Sequence, residues 1–328
     1  MNLNNKTILL TGGTGSFGNK FTELLLKNYT PKSLRIFSRG EHKQREMKNK
    51  FDSNRLRFFI GNVRDKERLH RAMNGVDIVV HAAALKQIPA AEYNPLETIK
   101  TNIRGAENVI NAALDNDVER VMAISTDKAV NPVNLYGATK LCAERLFVQS
   151  NSYVGKGKTK ISCVRYGNVL GSRGSVVPLF LKQKKSGELT ITDERMTRFW
   201  ITLEQGINFV INSIERMEGG EVFVPKIPSM KIVDLAKAIA PEAELEAIGI
   251  RPGEKLHEVL LPPEEARHAK EFDDYFVIEP EFDFWNKENC KDGKDLPEGF
   301  KYSSDNNDQW LSKKELRKLL KDLDIKHE

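Results

Sequence analysis

The sequence predicts an α/β chain with a doubly wound parallel sheet and a smaller C-terminal lobe, and three observations carry that prediction. Short β-rich apolar runs alternate with amphipathic runs through the first half; a glycine-rich turn joins the first pair; and the alternation lapses after residue 167. The strand runs are "TILLTG" (7–12), "LRIFSR" (34–39), "LRFFIG" (56–61), "VDIVVHAA" (76–83), "RVMAIST" (120–126) and "ISCVRYG" (161–167). Each is short, continuously apolar and bounded by Gly, Asn or charge, as strands buried on both faces are. Between them, "NKFTELLLKNY", "DKERLHRAM", "TNIRGAENVINAALDN" and "GATKLCAERLFVQS" carry helical periodicity. Strand–helix alternation of this kind builds a parallel sheet wound on both faces.

Beyond residue 167 come Gly- and Pro-containing loops with scattered helices, "LEQGINFVINSIERM" and "IVDLAKAIA". The expected division is residues 1–167 as a nucleotide-binding domain, to which some later segments return, and 168–328 as a substrate-binding lobe with a C-terminal tail. The stretch "NKENCKDGKDLPEGFKYSSDNNDQW" reads as loop before a short terminal helix, "KKELRKLLKDL".

Bulk properties narrow the class. At 40% hydrophobic and 30% charged, the 328 residues have an ordinary globular composition. No apolar run approaches the ~20 residues of a membrane span, and the first strand begins too early to leave room for a signal peptide. Three scattered cysteines, Cys142, Cys163 and Cys290, lack metal-ligand spacing and suit a reducing cytoplasm. A net charge of +5 without basic blocks or interleaved aromatics gives no reason to expect nucleic acid.

The turn "TGGTGSFG" supplies Gly12, Thr14, Gly15, Ser16, Phe17 and Gly18. A glycine triplet alone could be a plain turn. Placed after a strand and before a helix, it matches the dinucleotide fingerprint of a Rossmann sheet, where glycines admit a pyrophosphate to the helix N-terminus. The second strand ends in Ser38 and Arg39, with Lys43 following, where an NAD site usually has an acid for the ribose 2′-hydroxyl. Cations there pair with a 2′-phosphate, so NADP is the expected cofactor; the competing reading is a solvated basic loop. Asn62 and Val63 follow the third strand, at the adenine, and Ala82 and Ala83 follow the fourth, small enough for the cofactor to pass.

Tyr136 and Lys140 form a Tyr-x-x-x-Lys pair at a helix start, one turn apart on one face. A lysine cation would lower the tyrosine pKa, letting it take a proton from a sugar hydroxyl to which Thr126 also bonds. Joined to the glycine turn, this is the extended short-chain dehydrogenase/reductase arrangement. Asp127 and Lys128 are surplus to an oxidation. After hydride leaves C4 of a hexose, the ketone acidifies C5; an amine could then remove that proton while a carboxylic acid protonates the departing C6 hydroxyl. That use needs Lys128 neutral, helped by the nearby charges of Lys140 and Lys86, and Asp127 raised by burial. Spacing alone leaves this reading level with an idle, solvated Asp–Lys pair.

Taken with "HAAALKQIPAAEYNPLE", "STDKAVNPVNLYGATKLCAE", "RYGNVLGSRGSVVP", "ITDERMTRFWIT", "FVPKIPSMK" and "GIRPGEKLHE", the chain closely resembles the inverting UDP-N-acetylglucosamine 4,6-dehydratases (5-epimerising) that begin pseudaminic acid synthesis for flagellin glycosylation. The resemblance implies C4 oxidation, loss of water across C5–C6 and reprotonation of C5 on the opposite face, giving UDP-2-acetamido-2,6-dideoxy-β-L-arabino-hex-4-ulose. It makes Lys128 the C5 base, Asp127 its acid partner, Tyr136 the group at the C4 hydroxyl and Lys140 the holder of the nicotinamide ribose. It places Lys86, Ser125, Thr126 and Asn168 against the substrate, and Val169, Leu170, Gly171, Ser172 and Arg173 beside the nicotinamide. Val176, Thr192, Arg251 and Glu254 become uridine and diphosphate contacts, although without the resemblance Val176 reads as core and Arg251–Glu254 as a surface salt bridge. A homo-hexamer is likewise implied. Two departures stand out: Asn62 replaces the usual Asp of "GDVRD", and Gln87 replaces the His of "LKHVP". Retaining dehydratases and 4-epimerases share this fold, as would a catalytically silent NADP-binding regulator.

Overall fold

A computed structural model describes residues 2–170, 176–282 and 290–321. The six expected strands are present: β1 (Thr7–Thr11), β2 (Ser33–Ser38), β3 (Leu56–Ile60), β4 (Ile78–His81), β5 (Arg120–Ile124) and β6 (Lys160–Val164). They pair in parallel in the order β3-β2-β1-β4-β5-β6. Val222–Pro225 extends the sheet in parallel beyond β6, followed by antiparallel Tyr275–Ile278, Ala269–Glu271 and Lys294–Asp295. The antiparallel edge is an addition that no alternation in the sequence announces. Strand order reverses between β1 and β4, and it is outside the C-terminal ends at such a switch point that ligands bind.

Seven helices of the first half are α1 (Ser16–Asn28), α2 (Glu41–Phe51), α3 (Lys66–Met73), α4 (Ile88–Tyr93), α5 (Pro95–Ile99), α6 (Gly105–Asp115) and α7 (Leu135–Gln149). The segment read as a basic loop, "GEHKQR", is instead the first turn and a half of α2. Only Gln44 and Met47 of that helix are buried, so its apolar stripe is too thin to read from periodicity. The run expected as one helix from residue 101 opens with a π-helical turn, Lys100–Arg104. There Asn102 bonds the backbone of Leu85 in both directions, at 2.8 and 2.9 Å, and donates to Thr139 at 3.0 Å. Tertiary bonds thus hold a turn that an isolated helix would not adopt.

A second hydrophobic cluster gathers Val177, Phe180, Trp200, Met230, Leu235 and Leu316. It is built by helices Val176–Gln183, Ile232–Ile239 and Lys313–Lys321 around a three-stranded sheet of Asn168–Val169, Thr197–Ile201 and Ser229–Lys231. Among the described residues no helix is long and apolar enough to cross a membrane.

Arg165, fully buried just past β6, joins the two halves. It donates to Glu144 on α7, to Glu265 at 2.6 Å and to the Leu260 carbonyl at 2.9 Å. Burial works to raise the Glu144 pKa, but Arg165 outweighs it and holds the carboxyl below its usual range. Such a depressed carboxylate contributes stability above its unfolded pKa and loses it as pH falls. Arg165→Met strands two buried carboxylates and should cost about 3–5 kcal/mol at pH 7. In the variant the buried Glu144 carboxyl favours protonation, so the deficit in urea unfolding should narrow on going from about pH 7 to about pH 5. A deficit that is small or independent of pH would sink this account.

Candidate active site

The glycine turn sits where β1 meets α1. Gly12 has φ +67°, and a Cβ there would come within 3.0 Å of the Ala82 backbone. A Cβ on Gly18 would lie 2.1 Å from the Gly13 carbonyl, so α1 packs on the turn at a distance only glycine permits. Gly15 caps α1 without a side-chain bond, and no acid stands in the first turn. The N–H groups of that turn therefore face outward, uncompensated, beside exposed Ser16 and half-buried Thr14 and Phe17. The cradle and the helix terminus suit a pyrophosphate, and Ala82 and Ala83 of the β4 end form its small-residue wall.

At the end of β2, the Ser38 hydroxyl accepts from Gln44 at 3.0 Å, while Arg39 and Lys43 are exposed. Lys43 rides on α2. Asn62 turns its Oδ1 onto the Arg64 N–H at 3.1 Å, which leaves its amide nitrogen to donate. An Asp in this place could only accept, so the departure at Asn62 reverses the bond offered to a ligand. Val63 is buried against Gly105.

The end of β5 gathers the groups expected to do chemistry. Thr126 caps the 3₁₀ turn Asp127–Ala129, and α7 follows, capped by Asn134, whose Oδ1 accepts from Gly137 N at 2.7 Å. Tyr136 and Lys140 lie one turn apart on α7, both buried. Lys140 donates to the Ile124 carbonyl at 2.5 Å, and burial lowers its pKa. The Tyr136 hydroxyl meets Thr126; burial pushes its pKa up to about 12, with the Lys128 charge pulling the other way. The cation expected to ease the tyrosine was Lys140, whereas Lys128 is the one whose field reaches it.

Asp127 is 0% exposed. Its Oδ1 accepts from the Thr126 hydroxyl at 2.9 Å and from Lys128 Nζ at 3.0 Å, and its Oδ2 is buried with no partner. Burial raises its pKa, against the pull of Lys128. Lys128 differs from expectation. Burial would lower its pKa, but Asp127 and then Glu258 raise it well above the ordinary lysine value. Glu258 Oε1 lies 3.4 Å from Lys128 Nζ, with Lys255 at 3.3 Å and Arg198 at 3.9 Å from the same carboxylate. The acid is therefore shielded from solvent and hydrogen-bonded to the amine, which is partly exposed.

The remaining expected contacts divide. Lys86 lies at the exposed rim of the site, its pKa lowered by partial burial and then by Lys128. Asn168 presents a buried Oδ1 without a partner, and Val169 follows it on the strand that pairs with Trp200 and Ile201. Leu170 is buried in the second hydrophobic cluster, and Val176 packs against that cluster at a helix start. Thr192 is half-buried, its hydroxyl against Met196, and Arg251 and Glu254 form a loose 3.9 Å pair at the surface. Ser125 is turned away: its hydroxyl donates to buried Glu144 at 2.5 Å, so only its backbone is free for a substrate. Gly171, Ser172 and Arg173 lie outside the described residues. Among those described, no group of His, Cys, Asp and Glu is arranged to hold a metal.

Sequence reasoning passed over Asn102, Arg198, Lys255 and Glu258. The last three lie inside stretches that carried the resemblance, whereas Asn102 stands in the mixed polar and apolar run "TNIRGAENVINAALDN", where no local signal marks it as buried.

Comparison with known proteins places these features in company. Residues 8–280 match the model of a family described as polysaccharide biosynthesis protein. The chain is 56% identical over 322 residues to the inverting UDP-N-acetylglucosamine 4,6-dehydratase of Campylobacter jejuni subsp. jejuni serotype O:23/36 (strain 81-176), spanning 95% of this chain and 96% of that relative. It is also 45% identical over 281 residues to the UDP-glucose 4-epimerase of Rickettsia massiliae (strain Mtu5), over 83% of this chain and 82% of the relative. Among solved structures, Pen from Bacillus thuringiensis superposes with a TM-score of 0.89 at 37% identity, covering 98% of this chain and 100% of that one.

The helix terminus makes a direct prediction. Ser16→Asp adds a charge that favours α1 by about 0.3–1 kcal/mol, yet opposes an incoming pyrophosphate. Thermal unfolding should be unchanged or slightly raised, while binding of a reduced nicotinamide dinucleotide, titrated by its fluorescence, weakens about tenfold or more. Undiminished binding would remove the phosphate from this turn.

Proposed function

This chain belongs to the polysaccharide biosynthesis protein family and to its inverting UDP-N-acetylglucosamine 4,6-dehydratases, and from that membership and the site geometry we propose what it does. It converts UDP-N-acetylglucosamine to UDP-2-acetamido-2,6-dideoxy-β-L-arabino-hex-4-ulose. The observation that carries the reading is the Asp127–Lys128 pair: a buried acid with one oxygen unpartnered, 3.0 Å from an amine, beside Tyr136. A 4-epimerase needs no such pair, because its chemistry ends at C4.

The raised pKa of Asp127 favours its accepting the proton that Lys128 must give up to act as a base, while the raised pKa of Lys128 opposes the transfer. One proton shift along the 3.0 Å hydrogen bond turns ammonium and carboxylate into free amine and carboxylic acid together. Bound nicotinamide supplies a hydride acceptor at C4 and returns hydride at C6. Tyr136, bonded to Thr126, takes the C4 hydroxyl proton as its phenolate, the form that the Lys128 charge favours against burial, and with loss of hydride from C4 the resulting ketone acidifies C5. Lys128 then removes the C5 proton while Asp127 gives its own to the C6 hydroxyl, which leaves as water. The pair returns to ammonium and carboxylate; hydride addition at C6 leaves a C4–C5 enolate, which takes up one proton at C5 on the opposite face, balancing the proton removed from the C4 hydroxyl. Lys140 holds the nicotinamide ribose. Asn168 and Lys86 meet the sugar or diphosphate, and Val176, Thr192, Arg251 and Glu254 the rest of the nucleotide.

NADP is the proposed form of the cofactor, supported by exposed Arg39 and Lys43 and by the lack of an acid at the β2 end. By the motif resemblance, the product enters pseudaminic acid synthesis for flagellin or another surface glycan, in the cytoplasm, and the enzyme works as a homo-hexamer.

Incubation with UDP-N-acetylglucosamine in heavy water should give a product lighter by one water, carrying deuterium at an inverted C5. A product of unchanged mass would mean epimerisation, and no turnover at all a silent binder. Lys128→Ala should abolish dehydration, and Asp127→Asn should lower kcat about 10²–10⁴-fold; wild-type turnover in either removes its role. Arg39→Ala should weaken NADP about tenfold while leaving NAD within about twofold, since one charge-assisted bond is lost. An equal loss for both dinucleotides would place Arg39 away from the 2′-phosphate.

A further inference from the structure

Lys128 is a long side chain with four rotatable bonds, and its neighbour Asp127 holds only one side of its ammonium. The other side is held from the second half of the chain. Glu258 Oε1 stands 3.4 Å from Lys128 Nζ, and Glu258 is itself 2% exposed. Its backbone is pinned, donating to Ser304 Oγ at 2.9 Å and accepting from Ser304 N at 2.8 Å. Its charge is offset by Lys255 and Arg198, the two cations that close over the same carboxylate. Lys255 also donates to the Val130 carbonyl at 2.7 Å, at the exit of the turn that carries Asp127 and Lys128. Two residues earlier, the Gly253 carbonyl accepts from Asn134, the cap of the helix that carries Tyr136.

We infer that Glu258 is a positioning residue for the proposed dehydration: it fixes the Lys128 amine beside Asp127 and sets how firmly that amine keeps its proton. The inference rests on the dehydratase reading and adds to it a residue that need not touch substrate. The charged and titratable groups facing the pair are Asp127, Glu258, Arg198, Lys255, Lys86 and Tyr136. Of these, Asp127 and Glu258 are the anions that favour the ammonium. Removing the Glu258 charge leaves one and also relieves the repulsion that raises the Asp127 pKa, so the carboxylate that must receive the amine's proton should form at lower pH.

The test is the pH profile of kcat for dehydration, with KM measured alongside. Glu258→Gln keeps the shape and loses the charge. It should move the rising limb of kcat about one unit to lower pH, lower the plateau about tenfold and leave KM within about twofold. Glu258→Asp keeps the charge and withdraws it by a methylene; its limb should stay at the wild-type pH while its plateau falls about tenfold. Thermal unfolding and NADP titration report whether each variant is folded. A limb unmoved in Glu258→Gln, or a wild-type plateau in Glu258→Asp, overturns the assignment, because a merely structural residue would change activity without moving the limb. If the wild type itself yields only product of unchanged mass, the dehydratase reading falls first. That failure is seen without any variant.

Discussion

The buried Arg165 guanidinium is the interaction on which the rest of the structure depends. It ties β6 to Glu144 of α7, to Glu265 and to the Leu260 carbonyl. Glu144 in turn receives the Ser125 hydroxyl at the end of β5. One fixed, planar cation thus aligns the helix that carries Tyr136 and Lys140 with the chain segment that carries Glu258. A guanidinium can do this because its donors form a rigid fork and its charge is never given up. A buried ion of this kind is poor evidence of net stability but strongly constrains geometry: removing it leaves Glu144 with the Ser125 hydroxyl and Glu265 with Arg145, and nothing that joins the two.

Downstream of that anchor, the site is organised by a balance of charge in a dry place. Lys128, Lys255 and Arg198 face Asp127 and Glu258. Burial penalises every one of these ions, and each persists because its neighbours are of opposite sign. The two members of the Asp127–Lys128 pair are both raised in pKa for different reasons: the acid by burial, the amine by its two anions. The acid's rise narrows the gap across which a proton passes between them and the amine's rise widens it, and neither group by itself has the protonation state that elimination needs.

Legibility in the sequence followed the range of the forces involved. The six parallel strands were readable because each must be apolar on both faces, and the glycine turn because positive φ and close helix packing admit one residue type. Helix α2 was missed since only Gln44 and Met47 anchor it, and the π-turn at Lys100–Arg104 since its cause is Asn102 reaching Leu85 and Thr139. Ser125 was placed against the substrate by the resemblance; the structure shows its hydroxyl bonded to Glu144, a partner from a helix that its neighbours in the chain do not reveal.

By itself, the sequence determined the doubly wound sheet, the dinucleotide turn and the set of reactive groups at 125–140, because these depend on periodicity, backbone conformation and spacing within one or two turns. The tertiary structure decided the electrostatics. How firmly Lys128 keeps its proton depends on Asp127 beside it but also on burial, Glu258 and Arg198, and the last two come from remote segments and act only because folding removes the water between them. Local pattern carries no information about which distant charge will share a dry pocket, so the Asp127–Lys128 pair could be named from the sequence while its electrostatics could not.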